Sequence, residues 1–232
     1  MITKEIASVQ NKIRIQLPSI TSESMILGIL LTLVGGFLDA YTFIGRGGVF
    51  ANAQTGNMVL VAIEAFKGNW NQVLLQSLPV LAFMAGVIVS EAMKKNNFSF
   101  FISNSKGTIL ALEIVILFIV GFIPYTISNA FVTITIAFVT SLQYCSFKKL
   151  ADSPYATTMC TGNLRSASQA AYAAITKKDR EAAKEAVALF TVIFAFIIGA
   201  FLGGLLTISI GTHAVWIADI LLVLSLVLLD IG

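Results

Sequence analysis

The sequence predicts an all-α polytopic membrane protein with six transmembrane helices plus two re-entrant half-helices, arranged in two inverted three-helix repeats. Three observations support this fold class: the apolar content, six long apolar runs, and a polar Thr-Gly-Asn triplet that occurs twice. Of the 232 residues, 57% are hydrophobic and 12% are charged, and the mean hydropathy is +0.88. A soluble domain of this size does not need so much apolar sequence.

The six apolar runs are each close to the roughly 20 residues that a helix needs to cross a bilayer. They cover Ser24–Ile44, Val73–Met93, Thr108–Pro124, Ile127–Phe147, Val187–Ile208 and Thr212–Leu229. The first run lacks a signal-peptide cleavage pattern, so we expect it to remain in the mature protein. We divide the chain into an N-terminal segment, residues 1–23, a first membrane repeat, residues 24–125, and a second membrane repeat, residues 126–232.

The Thr-Gly-Asn triplet occurs at Thr55–Asn57 and again at Thr161–Asn163, 106 residues later. The apolar runs that follow, Met58–Phe66 and Leu164–Ile175, are too short to cross a membrane at a rise of about 1.5 Å per residue. Thr and Asn are N-cap residues, and Gly lets the backbone bend before a helix begins. We therefore interpret each triplet as the tip of a re-entrant loop, followed by a half-helix with free backbone N–H groups inside the membrane.

Basic residues predict the topology. If both triplets are re-entrant, twelve of the fifteen Lys and Arg side chains lie on one side, Arg46 and Lys67 lie on the other, and Arg165 lies within the membrane. The positive-inside rule assigns the basic side to the cytoplasm. We therefore expect both the N- and the C-terminus to be cytoplasmic.

Two further patterns indicate how the helices pack. Glu113 and Asp219 share the 106-residue offset of the triplets. Because each half has an odd number of spans, the second half must be inverted relative to the first, and transporters of this design place their substrate near the midplane. Small residues at every fourth position, Ala82, Gly86 and Ser90 in the second span and Ala195, Gly199 and Gly203 in the fifth, predict close helix contacts.

The stretch Gly35-Gly36-Phe37-Leu38-Asp39-Ala40-Tyr41, together with Gly47-Gly48-Val49-Phe50 and both triplets, resembles the YoaK-like family of bacterial inner-membrane proteins. The resemblance covers nearly the whole chain. It implies a multi-pass protein of the inner (plasma) membrane. The function of that family is unknown, so the resemblance implies no substrate.

Charged side chains inside a membrane cost about 2.5–3.5 kcal/mol at the centre of a helix, so each needs a reason. We expect Asp39 either to bind substrate or protons or to pair with another side chain. Arg165 should meet a carboxylate, with Asp39 ranked first, or an anionic substrate. Glu113 and Asp219 are candidate coupling carboxylates or helix-pairing groups. The predicted substrate-binding residues are Asp39, Asn52, Gln54, Thr55, Gly56, Asn57, Thr158, Thr161, Gly162, Asn163 and Arg165.

The leading functional hypothesis is a small-solute transporter or channel, whose half-helix dipoles favour an anionic or strongly polar solute, with protons as a candidate coupling ion. A non-transporting membrane scaffold or sensor is the first alternative. An intramembrane enzyme is the second, and a single histidine without a metal cluster or Ser–His pair argues against it. We predict no metal, cofactor or nucleic-acid partner, and no nucleotide-binding motif is found. The lipid bilayer is the expected partner, and a homo-oligomer remains open.

Overall fold

The computed structural model describes residues 22–95, 105–147, 149–150, 153–154 and 160–231. Most of the described chain is helical, in the order α1 Ser22–Gly45, α2 Gln54–Phe66, α3 Trp70–Lys95, α4 Ser105–Gly121, α5 Asn129–Ser146, α6 Cys160–Lys177, α7 Arg180–Ile210 and α8 Val215–Ile231. A 3₁₀ turn, Gly211–Ala214, joins α7 to α8. Between α5 and α6, β1 Lys149–Leu150 pairs antiparallel with β2 Ser153–Pro154, with Lys149 opposite Pro154. The predicted N-terminal segment lies almost wholly outside the described residues.

Each of the six apolar runs coincides with a helix to within three residues at both ends, except that α7 begins at Arg180, seven residues before the predicted Val187. A long apolar run in lipid becomes helical because it must satisfy its backbone hydrogen bonds internally. The two short runs also form helices, but α2 and α6 begin at Gln54 and Cys160, before the triplets. Each triplet therefore occupies the first turn of its helix instead of preceding it.

Three stretches of the described chain are long and apolar enough to cross a membrane. They are Met25–Gly45, Trp70–Met93 and Arg180–Leu229, and the last contains both α7 and α8. Large apolar side chains on the outer faces are exposed, among them Phe201 at 68% and Ile208 at 75%. A helical membrane protein accounts for these apolar surfaces, because they can face lipid.

The core is built around α1. Val34, Phe37 and Leu38 are fully buried, and the apolar core that contains them continues into α4, α5 and α8. The two helices that contain the triplets, α2 and α6, pack elsewhere: α2 contacts α3, and α6 contacts α7.

Helices α1 and α7 touch backbone to backbone through glycine. A side chain at Gly199 would overlap the carbonyl group of Leu33, and one at Gly203 would overlap that of Phe37. The contact points advance together along the two helices, so α1 and α7 run in the same direction. The small-residue pattern in the fifth apolar run thus predicted a close contact correctly, because small residues let helix backbones approach.

The other helix pairs extend the bundle. Gly86 of α3 packs against Phe138 and Ser141 of α5. Trp216 at the start of α8 donates a hydrogen bond from Nε1 to the carbonyl oxygen of Phe118, near the end of α4, at 3.1 Å. In addition, α1 contacts α8, and α4 contacts α5.

Candidate functional site

The loop between α1 and α2 turns back along α1. Gly47 and Gly48 have φ values of 98° and 75°, in the left-handed region that glycine adopts without strain. The turn brings Asn52 beside Asp39, six residues before the end of α1 or about 9 Å along its axis. The side-chain Nδ2 of Asn52 donates to the carbonyl oxygen of Gly35 at 3.2 Å, which fixes the loop against α1.

Asp39 holds the beginning of α2. Its Oδ1 accepts hydrogen bonds from the backbone N–H groups of Asn52 at 2.6 Å and Ala53 at 3.4 Å. Ala53, at the N-cap position of α2, has no side chain that could cap the helix. The Asp39 carboxylate of α1 therefore binds the two backbone amides that lead into α2 and also opposes the positive end of the α2 dipole.

Two buried acceptors at this loop have no hydrogen-bond partner. They are Oδ2 of Asp39 and Oδ1 of Asn52. Asp39 as a whole is only 4% exposed. Buried polar atoms are usually hydrogen-bonded, so unpartnered ones need an explanation. Both atoms accept hydrogen bonds, so they fit a ligand that donates them.

The polar side chains of the first triplet mostly hold the loop together. Asn57 accepts from the backbone N–H of Phe50 at 2.8 Å and donates to the carbonyl oxygen of Phe50 at 2.8 Å and to Oε1 of Gln54 at 2.9 Å. Gln54 in turn donates to the carbonyl oxygen of Ala51 at 2.8 Å. Thr55 is exposed, and Gly56 lies against the ring of Phe50.

The second triplet starts close to the same place. Cys160, the first residue of α6, interacts electrostatically with Asp39, so the beginnings of α2 and α6 lie near one carboxyl group. Asn163 is buried and has a polar partner, whereas Thr161 and Gly162 are exposed. The predicted site residue Thr158 lies outside the described residues.

Arg165 does not pair with Asp39. It is exposed, and the hydrogen bonds that Asp39 accepts come from Asn52 and Ala53. The buried face of α6 is formed by Asn163, Ala167 and Ala170. Two residues beyond Asn163, a rotation of about 200° turns Arg165 to the opposite side. The predicted ion pair fails because α6 begins at Cys160, which fixes the face on which each later side chain lies.

The exposed face of α6 carries a polar strip, defined by side chains spaced three or four residues apart. Its members are Thr161, Arg165, Ser168, Tyr172 and Thr176. The corresponding face of α2 is apolar and forms a shallow groove of about 490 Å³ between residues such as Met58, Ile63 and Phe66. Helices α2, with 13 residues, and α6, with 18 residues, thus differ both in length and in the surface that they expose.

Arg46 is a buried cation that the sequence analysis placed in an outer loop. Only 1% of it is exposed. Its Nε and Nη2 donate to the hydroxyl oxygen of Tyr41 at 3.1 and 3.0 Å, and Nη2 also donates to the carbonyl oxygen of Ile123 at 2.7 Å. Its guanidinium carbon lies 5.1 Å from the centre of the Tyr125 ring, a cation–π contact. The hydroxyl of Tyr41 donates onward to the carbonyl oxygen of Thr212 at 3.2 Å.

This arrangement joins the end of α1 to the α4–α5 loop and to the 3₁₀ turn before α8. Nη1 of Arg46 has no hydrogen-bond partner, and no carboxylate forms a salt bridge with Arg46 in the described part of the chain. The sequence signal for this cluster was weak, because Ile123 and Tyr125 are nearly 80 residues away from Arg46 in the chain.

Glu113 and Asp219 meet where α4 packs against α8. Glu113 is fully buried, Asp219 is 6% exposed, and the two carboxyl groups interact electrostatically. The matched positions predicted from the 106-residue offset therefore lie on two helices that pack together. Within the described residues, no group of three or more His, Cys, Asp or Glu side chains is placed to hold a metal ion.

Comparisons with known proteins identify the family. The profile of a family described as "Protein of unknown function (DUF1275)" matches residues 27–228. The chain is 28% identical over 142 residues to the UPF0700 transmembrane protein YoaK of Bacillus subtilis (strain 168), a match that covers 59% of this chain and 62% of YoaK. The match thus spans less than two thirds of that relative, and no solved structure matches the chain. The chain belongs to the DUF1275 family, in agreement with its YoaK-like sequence.

Proposed function

We propose that this membrane protein is a small-solute transporter or channel whose solute binds near the membrane midplane, between the beginnings of α2 and α6. The observation that carries the proposal is the Asp39 carboxylate. It reaches from α1 to the start of α2, keeps one oxygen unpartnered, and lies near Cys160 at the start of α6. Polar atoms left unpaired inside an apolar bundle are unfavourable unless a ligand uses them.

The length of α2 supports a re-entrant arrangement. Its 13 residues span about 20 Å, less than the roughly 30 Å of a hydrocarbon core. The chain descends beside α1 as far as Asp39 and returns through α2. On this proposal, α6 forms the matching segment of the second half, and its polar strip faces water that leads to the site.

The pattern of helix contacts supports the inverted repeat. If α1 to α4 correspond in order to α5 to α8, the contact of α1 with α7 corresponds to that of α5 with α3. The contact of α2 with α3 corresponds to that of α6 with α7, and that of α1 with α8 corresponds to that of α5 with α4. The contact of α4 with α8 corresponds to itself. Every major helix contact thus has its counterpart, as a twofold relation between the halves requires, and repeat interfaces are where such transporters bind solute.

The two acceptor oxygens without hydrogen-bond partners at the α1–α2 loop indicate the class of solute. Oδ2 of Asp39 and Oδ1 of Asn52 accept hydrogen bonds. The dipole of α2, which on its own would favour an anion, already faces the Asp39 carboxylate. We therefore narrow the expected solute to a strongly polar molecule with hydroxyl, amide or ammonium donors.

A scaffold or sensor without transport activity is the second candidate. The hydrogen bonds of Gln54 and Asn57 favour it, because these side chains stabilise the loop and leave no free group for a solute. The two candidates differ in whether the unpartnered atoms of Asp39 and Asn52 meet a diffusible ligand.

A binding screen and an uptake assay distinguish these candidates. The purified protein is tested by thermal shift against sugars, amino acids, amides and amines, since a ligand of the native state raises its stability. Hits are then tested for entry into proteoliposomes. We expect Asp39→Asn to abolish both signals, while Asp179→Asn, at the exposed N-cap of α7, retains them. Binding without uptake would favour a sensor, and equal binding by both variants would exclude Asp39 from the site.

A further inference from the structure

The contact between α4 and α8 contains two acidic side chains without any hydrogen-bond partner. Both carboxylate oxygens of Glu113 and both of Asp219 are buried and unpartnered. Glu113 has no exposed surface, and the two residues lie 106 positions apart on helices that pack together. This pair lies apart from the loop at Asp39, which the proposed solute site uses.

The surroundings of the pair are apolar. Asp219 lies in the wall of a groove of about 420 Å³ between α4 and α8, lined otherwise by Ile114, Phe118, Trp216, Ile220, Val223 and Leu224. No lysine, arginine or histidine of the described chain forms a salt bridge with either acid. Nothing in the described residues therefore neutralises two negative charges at this place.

Apart from the buried free thiol of Cys145 on α5, the titratable side chains described on the packed elements are engaged elsewhere. His213, in the 3₁₀ turn, stacks edge-on against Trp216 at 4.8 Å. Lys106 of α4 lies over the ring of Phe147. On α1, which packs against α8, Asp39 accepts from the loop and Tyr41 contacts Arg46. On α5, which packs against α4, Tyr144 lies beside Phe83 of α3.

We propose that Glu113 and Asp219 form a carboxyl pair that binds a single proton, held on one acid or the other. Two ionised carboxylates side by side in an apolar interface would repel each other and lose their hydration. One bound proton removes the repulsion and halves the buried charge. Asp219 is the residue through which the proton exchanges, since it borders the groove while Glu113 is enclosed behind it.

Reaction with dicyclohexylcarbodiimide tests whether the pair is protonated. This apolar reagent adds the O–H of a protonated carboxyl across a C=N bond, with no leaving group, and mass spectrometry locates the adduct. In the full chain in detergent, we expect Asp219 to react at about pH 6 and the labelling to fall about tenfold per pH unit once the proton is lost. Glu181 serves as the control, because it is exposed and paired with Lys184, and it should stay unlabelled at neutral pH.

Repeating the labelling with and without sodium distinguishes a proton site from a sodium site. Labelling is repeated in sodium chloride and in choline chloride at equal concentration. Equal labelling in both salts supports proton binding. Protection by sodium alone would overturn the proposal in favour of a sodium site, and labelling of Asp219 only below about pH 4, the ordinary carboxyl range, would show that both acids are ionised at neutral pH.

Stability measurements give a second, independent test. If the folded protein holds a proton that the unfolded chain releases in the ordinary carboxyl range, stability is highest at low pH and falls as the pH rises. We expect the double variant Glu113→Gln, Asp219→Asn to show a smaller decline in Tm than the native chain, because the buried Asp39 remains in it, and Glu181→Gln to keep the full decline. A double variant with the same pH dependence as the native chain would overturn the proposal. Neither test requires transport. The carboxyl pair can therefore be confirmed or excluded independently of the proposed transport function.

Discussion

Replacing Asp39 with alanine removes the acceptor of two backbone amides at the start of α2. The Asn52 amide, at 2.6 Å, would lose a short bond, and the Ala53 amide, at 3.4 Å, a long one. A buried donor left unpaired costs about 1–3 kcal/mol. Because the second bond is weaker than the first, we expect Asp39→Ala to lower the free energy of unfolding by about 2–4 kcal/mol.

Asparagine at the same position separates hydrogen bonding from charge. Its amide oxygen can still accept from both backbone N–H groups, while the buried negative charge disappears. We therefore expect Asp39→Asn to lower the free energy of unfolding by about 1 kcal/mol or less, the difference between a charge-assisted and a neutral hydrogen bond. If Arg165 were the partner of Asp39, the same variant would instead leave a buried cation alone, at a cost of about 3–5 kcal/mol.

The chain contains a matched control for this experiment. Asp179 also accepts from two backbone amides at the start of a helix, those of Glu181 at 2.9 Å and Ala182 at 3.2 Å, but it is exposed. Asp179→Ala should cost about 1 kcal/mol, as N-cap substitutions usually do. All variants are compared by reversible unfolding in mixed micelles with increasing SDS. The reasoning is refuted if Asp39→Ala is no more destabilising than Asp179→Ala, or if Asp39→Asn is as damaging as Asp39→Ala.

Three further predictions follow from the packing and the topology. Gly203→Ala should destabilise the protein by about 1–3 kcal/mol in the same unfolding assay, because the added methyl group overlaps the backbone of α1. Gly162→Ala should be neutral or stabilising, because there is open space around Gly162. Equal effects of the two substitutions would contradict the close contact between α1 and α7. Tyr41→Phe should cost about 2–4 kcal/mol, since it removes the acceptor of a buried guanidinium, and an unchanged unfolding curve would mean that water replaces the hydroxyl. In a cysteine-free background, an impermeant thiol reagent added to intact cells should label Lys67→Cys but not Lys178→Cys, and the reverse result would invert the topology.

The sequence predicted the helices well because their signal is local. A run of about 20 apolar residues becomes a helix in lipid whatever surrounds it, and a small residue at every fourth position favours close packing with any partner. For this reason the positions of α1, α3 and α7 and the role of Gly199 were predicted correctly. The 106-residue offset also paired Glu113 with Asp219, and both acids are buried on helices that pack together.

Sequence patterns do not reveal features that depend on distant segments or on the exact start of a helix. Arg46 looked like an ordinary loop cation because Ile123 and Tyr125, which enclose it, belong to another part of the chain. Arg165 was expected to be buried, but its direction depends on the residue at which α6 begins. The role of Asn57 depends on how the preceding loop folds back, which composition and spacing do not determine.

The α1–α7 contact also sets an order of events during synthesis. Asp39 finds its amide partners only 13 residues further along the chain, so it can be covered soon after α1 has left the ribosome. The glycine-contacting face of α1 has to wait for α7, which begins at Arg180 and is made much later. Throughout that interval the helix at the centre of the finished bundle faces lipid or a chaperone. A chain interrupted before α7 would therefore leave this face of α1 without its partner helix.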